Sequence, residues 1–137
     1  MTQENKELLL KDLCARLPYG VKVEYNGEEY DVLGIAHGRL VLCKPFMSYT
    51  LNEHPLVEEV KPYLFPMSSM TEEQNDSWRN AWFPDLMSST DINYPESEKY
   101  LALSHSKSME WLYRHHFDVN GLIEKGLAID ATGLNIY

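Results

Sequence analysis

The sequence predicts an α+β fold: an N-terminal helix, then a small antiparallel meander or SH3-like half-barrel, then a helical C-terminal half. Three observations predict it. Leucines recur at three- and four-residue steps near the N-terminus. The period then falls to two around an Asn-Gly pair, the strongest short-range hairpin signal. From Thr71 onward capping signals and helical spacing return. A chain of 137 residues suits one domain, 1–137, with the meander over about 21–64 and the helical part over about 71–125.

Residues 3–17 form the first predicted helix. Leu9, Leu10, Leu13, Cys14 and Leu17 share one face, Thr2 is placed as N-cap, and Pro18 and Gly20 end the element. The following stretch, VKVEYNGEEYDVLGI, folds back at Asn26-Gly27, whose two central positions need positive φ. That turn sets the register. Tyr25 faces Glu28, Val23 faces Tyr30, Lys22 faces Asp31 and Val21 faces Val32. Val21, Val23, Tyr30 and Val32 then line one side, with opposite charges paired on the other. A second turn at His37-Gly38 sets Ile35 against Leu40 and Leu33 against Leu42, with Gly34 as a bulge or bend. Residues 44–54 read as a loop. Leu56 to Leu64 supplies a fourth strand, at the sheet edge because of Pro55 and Pro62.

Thr71 with Gln74 three residues later makes a capping box for a helix running to about Phe83, with Glu72 and Glu73 in its first turn. Trp78 and Trp82 fall on one face of it. Asp85 to Pro95 is polar and irregular. A longer helix starts near Pro95 or Glu96 and reaches about His116, its stripe passing through Leu101, His105, Met109 or Ser108, Leu112 and His116. Asp118 is placed as the cap of a short helix from Val119 to Lys125, Gly126 as its C′ residue, and Leu127-Ala128-Ile129 as a strand. The tail 130–137 frays unless Leu134, Ile136 and Tyr137 dock. Corner residues Leu112, Leu122, Ile123, Leu127 and Ile129 are expected to be largely buried.

Twenty-one acids against twelve bases leave a net charge of −9, which repels a polyanion; no direct nucleic-acid contact is expected. Seven of the acids lie between Thr71 and Glu98, against Arg79 alone. No apolar run approaches membrane-spanning length, and the polar start of the chain lacks a signal core, so the expectation is a cytoplasmic protein with no membrane partner. Cys14 and Cys43 read as buried free thiols.

The residues that invite chemistry are His115, His116 and Asp118. Adjacent helical residues point about 100° apart, so the two histidines do not share a metal easily. His-x-x-x-His and Cys-x-x-Cys spacings, a phosphate loop and a nucleophile elbow are all missing. No cofactor and no metal are expected. The three side chains fit capping and helix-end packing better than catalysis. Trp78 and Trp82 read first as core at this spacing and the acids as a solvated face; if exposed, Trp78 and Trp82 with Glu72, Glu73 and Asp76 are the candidate partner surface, aimed at a basic protein.

Two stretches, WLYRHHFDVNGLIEKGLAID at 111–130 and EEVKPYLFPMSSMTEEQ at 58–74, carry a resemblance. They are similar to small uncharacterised proteins of Bacteroides-type gut bacteria and of their prophages and mobile elements. The shared series is His-His-Phe-Asp, Gly-Leu-Ile and Gly-Leu-Ala, here residues 115–118, 121–123 and 126–128. Where such proteins often carry Arg before the first Gly, this chain has Asn120. The resemblance covers about half the chain, from Glu58 to Asp130, and implies a lineage and a phage-like setting rather than a mechanism. The leading expectation is a non-enzymatic, phage- or mobile-element-associated accessory protein working through an unidentified protein partner. Two alternatives stay open: a small hydrolase or nuclease using His115, His116 and Asp118, and an acidic nucleic-acid mimic that inhibits a DNA-binding enzyme.

Overall fold

The computed structural model describes residues 1–45, 53–82 and 105–137. In chain order it holds α1 (Gln3–Arg16), β1 (Lys22–Tyr25), β2 (Glu28–Ala36), β3 (Arg39–Cys43), β4 (Lys61–Leu64), α2 (Glu72–Trp82), α3 (described over 105–114) and β5 (Ile129–Asp130). The sheet order is β3-β2-β1-β4-β5, antiparallel except for the β4–β5 pair. This is the expected α+β arrangement. None of the described helices is long and apolar enough to cross a membrane.

α1 starts where Thr2 Oγ1 accepts the Asn5 N–H at 3.1 Å and stops in a 3-10 turn over Leu17–Tyr19. Its buried face differs from the expected one. Leu9 and Leu13 are fully buried, but they share that face with Asp12 and Arg16, while Cys14 is exposed and Leu10 and Leu17 are half-buried. Positions 9, 12, 13 and 16 also follow helical spacing; the ion pair satisfies the two charges there and lets the helix roll toward them. Of the two thiols, Cys43 is buried as expected.

The first hairpin has the register set by Asn26-Gly27, with φ of 52° and 78° at the two turn residues. Val21, Val23, Tyr30 and Val32 are buried, and Lys22 pairs with Glu29 and Asp31 across the strands. In the second hairpin Ile35 faces Leu40, but Leu42 faces Val32 rather than Leu33. Leu33 is the extra residue of a bulge just before Gly34 and is 47% exposed. A two-against-one step consumes one residue of register, which puts Leu33 outside the core and adds twist.

Residues 53–64 cross from one side of this meander to the other. Glu53 bridges Leu42 and Leu56 bridges Arg39, beyond β3, whereas Lys61 and Pro62 pair with Glu24 and Val23 of β1. On a flat sheet those places would lie four strand spacings apart, about 19 Å. The chain between them includes a 3-10 turn over Val57–Glu59, rising only about 2 Å per residue. The meander is therefore curled so that one segment reaches both ends.

The fourth strand is shorter than expected, and it lies inside the sheet, between β1 and β5. Pro62 is tolerated there because it sits opposite Val23 in a pair that exchanges no hydrogen bond, and its missing donor points to the β5 side. On that side the ladder spans only Tyr63–Ile129 and Leu64–Asp130.

A single apolar cluster joins Leu9 and Leu13 of α1, the meander residues, Val57, Val60 and Leu64, and Leu122, Leu127 and Ala128 near the C-terminus. α2 begins with the expected capping box. Thr71 Oγ1 accepts the Gln74 N–H and Gln74 Oε1 accepts the Thr71 N–H. The expected irregular segment 85–95, the start of the long helix and Leu101 lie outside the described residues.

Candidate functional site

The corner from Trp111 to Asn120 carries the residues singled out by the sequence. α3 ends there in a six-residue closure: the Phe117 N–H donates to Leu112 O and the His116 N–H to Tyr113 O. The residue in the left-handed position of such a closure is usually glycine; here it is His116, with φ of 66°. The helix stops at 114, two residues before the expected end, and His116 is the turn itself rather than part of the helical stripe.

The two histidines part company. His115 is exposed, its Nδ1 lies 2.8 Å from Trp111 O, and its ring stacks on the Trp111 indole with centroids 3.9 Å apart. His116 is half-buried, and its ring stacks on Tyr137 at 3.5 Å. Burial, then the nearby positive charges of Arg16, His115 and Lys22, lower the His116 pKa to about 4. The ring is neutral at neutral pH, and its buried Nδ1 has no hydrogen-bond partner among the described residues.

Asp118 is buried, and both carboxylate oxygens accept backbone N–H groups, Oδ1 from Leu122 at 2.9 Å and Oδ2 from Ile123 at 3.0 Å. It caps the next element as expected. That element, however, is a hydrogen-bonded turn over 122–126 and not an α-helix from Val119. The reason lies at Gly121, whose φ of 69° takes the backbone out of the right-handed helical region where a helix would pass. Gly126, with φ of 74°, closes the turn as its C′ residue: Leu127 N–H donates to Leu122 O and Gly126 N–H to Ile123 O. Leu112, Leu122 and Leu127 are buried as expected, while Ile123 and Ile129 are half-buried.

Under this corner lies a polar network that the sequence reading missed. Arg16, fully buried, grips Asp12 through two bonds of 2.7 and 3.1 Å, and its Nη2 also donates to Phe117 O at 2.7 Å. Asn120 Nδ2 donates to Asp12 Oδ1 at 2.8 Å, and the Tyr113 ring lies 4.9 Å from the guanidinium carbon. Arg16 Nη1 is buried without a partner among the described residues. The signal available was the i, i+4 spacing of Asp12 and Arg16 beside Leu9 and Leu13.

The candidate partner surface lies on α2. Glu72, Glu73 and Asp76 are exposed on α2. Trp78 is half-buried, and its Nε1 donates to Ser108 Oγ at 2.9 Å, fastening α2 to α3. Trp82 ends α2 in the backbone; its side chain lies outside the described residues. Beside them a groove of about 230 Å³ is lined by Ala81, Lys107, Glu110, Trp111 and Arg114.

Among the described residues no group of three His, Cys, Asp or Glu side chains is placed to hold a metal ion. Chemically, the corner is a set of neutral, capping or paired groups: a neutral imidazole under a phenol, a carboxylate held by two backbone N–H groups and a buried ion pair. No family model, no curated protein and no solved structure matches the chain.

Proposed function

We propose that this protein is a non-enzymatic accessory protein that acts through protein contacts in a phage or mobile-element setting. The observation that carries the reading is the state of the one acid–base constellation in the sequence. Asp118 spends both oxygens on backbone N–H groups, His116 lies neutral against Tyr137, and His115 stacks on Trp111. A general base must stand within reach of a substrate proton; Asp118 is buried and held by two backbone N–H groups, and His116 Nδ1 is buried, which favours the accessory reading over the hydrolase or nuclease alternative. The surface left with distinctive chemistry is the acidic, exposed side of α2, with Glu72, Glu73 and Asp76, next to the groove floored by Trp111. Such a surface fits a basic protein patch, with charge setting the encounter rate and the aromatic residues the dwell time. The phage setting is supported by the C-terminal series His-His-Phe-Asp, Gly-Leu-Ile, Gly-Leu-Ala.

The test begins with proximity labelling in the host cell, with and without phage infection. A partner enriched by infection is then purified and titrated against wild type and a Glu72→Lys/Glu73→Lys/Asp76→Lys variant. The expected result is saturable binding that weakens with salt and drops at least tenfold in the variant. Binding that ignores both salt and the three substitutions would exclude this surface. Hydrolysis of a phosphodiester or ester substrate, abolished by Asp118→Asn in a protein that still folds, would overturn the accessory reading.

A further inference from the structure

Tyr137 completes the sheet in a way that the backbone leaves unfinished. Extending the β1–β4 register past Val23–Pro62 sets Lys22 opposite Tyr63, and Lys22, like Glu24, turns its N–H toward β4. The ladder stops one pair short, without a direct bond from the Lys22 N–H to the Tyr63 carbonyl. In its place the Tyr137 hydroxyl accepts the Lys22 N–H at 3.0 Å and donates to Tyr63 O at 2.8 Å. The two strands separate here, because beyond this point Phe65 pairs with His116 and Asp118 instead of with β1. One phenol thus fills the fork between two partners of β4.

The strap from Thr132 to Tyr137 is held at its far end. Thr132, Gly133, Leu134 and Asn135 are exposed, Leu134 by 49%; Ile136 is half-buried, and Tyr137 keeps 41% exposure while its ring and hydroxyl make the contacts. A Thr132 N–H to Asp130 bond and a Leu134 N–H to Ala131 bond are local to the strap. The Tyr137 ring lies on His116 with an 8° angle between planes, and against Phe65 at 5.9 Å.

We propose that the strap 132–137 is a pH-sensitive latch: protonation of His116 releases Tyr137 and opens the seam between β1 and β4. The geometry gives the reason. Nδ1 is buried with no partner among the described residues, so in the imidazolium, where both ring nitrogens carry a proton, its N–H meets no acceptor. The charges that face this place are Arg16 from α1, Lys22 from β1 and the adjacent His115, all on the cationic side. Glu29 and Asp31 of β2 are engaged by Lys22, and Asp12 by Arg16. Lifting the strap lets water reach the ring and brings its pKa back toward the ordinary 6.5 from about 4. The sign follows: the open form binds the proton more tightly, so opening grows as pH falls from about 6.5 to about 4 and levels off below that. The open seam presents the Lys22 N–H, the Tyr63 carbonyl and the faces of His116 and Phe65, a short length of unpaired strand edge.

The test is amide hydrogen exchange by NMR on the full chain between pH 7 and pH 4, each rate corrected for its intrinsic value. The expected result is a loss of Lys22 protection on the order of a hundredfold, while Val23 and Tyr30, which face each other across β1–β2, stay protected. His116→Asn, which tolerates positive φ, removes the pH dependence; His116→Gly serves if that variant does not fold. Tyr137→Ala raises the His116 pKa toward 6.5, as reciprocal coupling demands. The latch is overturned if Lys22 loses protection only together with Val23 and Tyr30. It is equally overturned if the pH dependence survives in His116→Asn, or if the His116 pKa is unchanged in Tyr137→Ala.

Discussion

Removing either member of the Asp12–Arg16 pair strands the other charge in a dry place. Asp12 is 1% and Arg16 0% exposed, so neither remaining partner can turn to water. A broken buried pair costs about 3–5 kcal/mol, whereas replacing both members by apolar residues of similar volume is often neutral or favourable. Asp12→Ala and Arg16→Ala are therefore each expected to lower the melting temperature steeply. An Asp12→Leu/Arg16→Met double variant should melt much closer to wild type, although Asn120 and Phe117 O then lose a partner. Melting curves of the three variants check this; a double variant no better than the singles would mean that the contacts to Asn120 and Phe117 O matter more than the charge pair. This network was legible only in part. The i, i+4 spacing was visible, but charged residues beside leucines normally mark the solvent boundary of a helix. Asn120, more than a hundred positions away, is what makes burial tolerable.

At the scale of elements, local chemistry settled turns and ends. Asn26-Gly27 set a hairpin register that holds at every pair, because a two-residue turn with positive φ leaves no freedom in what faces what. Thr2, Thr71 and Gly126 also took their expected capping places. The errors came where a local signal had two readings. Gly34 marked a bulge, but the extra residue is Leu33. Pro62 argued for an edge strand, but its missing donor falls where no rung is lost. The run from Val119 to Lys125 looked helical, but Gly121 takes a positive φ. The cap Asp118 supports a testable element-scale expectation. Asp118→Ala frees the Leu122 and Ile123 N–H groups at a buried corner, so a loss of about 0.5–2 kcal/mol, toward the upper end, is expected by chemical denaturation. Thr71→Ala, at an exposed helix start, should fall toward the lower end of the same range. Equal effects would mean that burial of the corner adds nothing to the cap.

For the molecule as a whole, the half-buried His116 ties stability to pH. Its folded pKa, about 4, lies below the ordinary value, so the unfolded chain binds the extra proton first. Above about pH 6.5 the group is neutral in both states and contributes no slope. Between 6.5 and 4 stability falls as pH falls, and below 4 the penalty is constant. The melting temperature of wild type is expected to drop across that window by more than that of His116→Asn. Parallel curves for the two proteins would show that other groups carry the acid sensitivity.

The sequence by itself determined the α+β class, the first hairpin and its register, the Thr71–Gln74 capping box and the chain reversals near 116 and 126. Each of these depends on residues within a few positions of one another, where sterics and single hydrogen bonds decide. Only the tertiary structure decided which face of α1 is buried, that β4 lies inside the sheet, and that Tyr137 fills the fork between β1 and β4. Those outcomes rest on partners far apart in the chain: Tyr63 with Ile129, 66 positions; Tyr137 with Tyr63 and Lys22, 74 and 115; Arg16 with Phe117, 101. A buried charge, a proline in a strand or a tyrosine in an exposed strap is unfavourable or idle in isolation. Its energy changes sign once a distant group supplies the missing hydrogen bond, and no local pattern encodes that group's position.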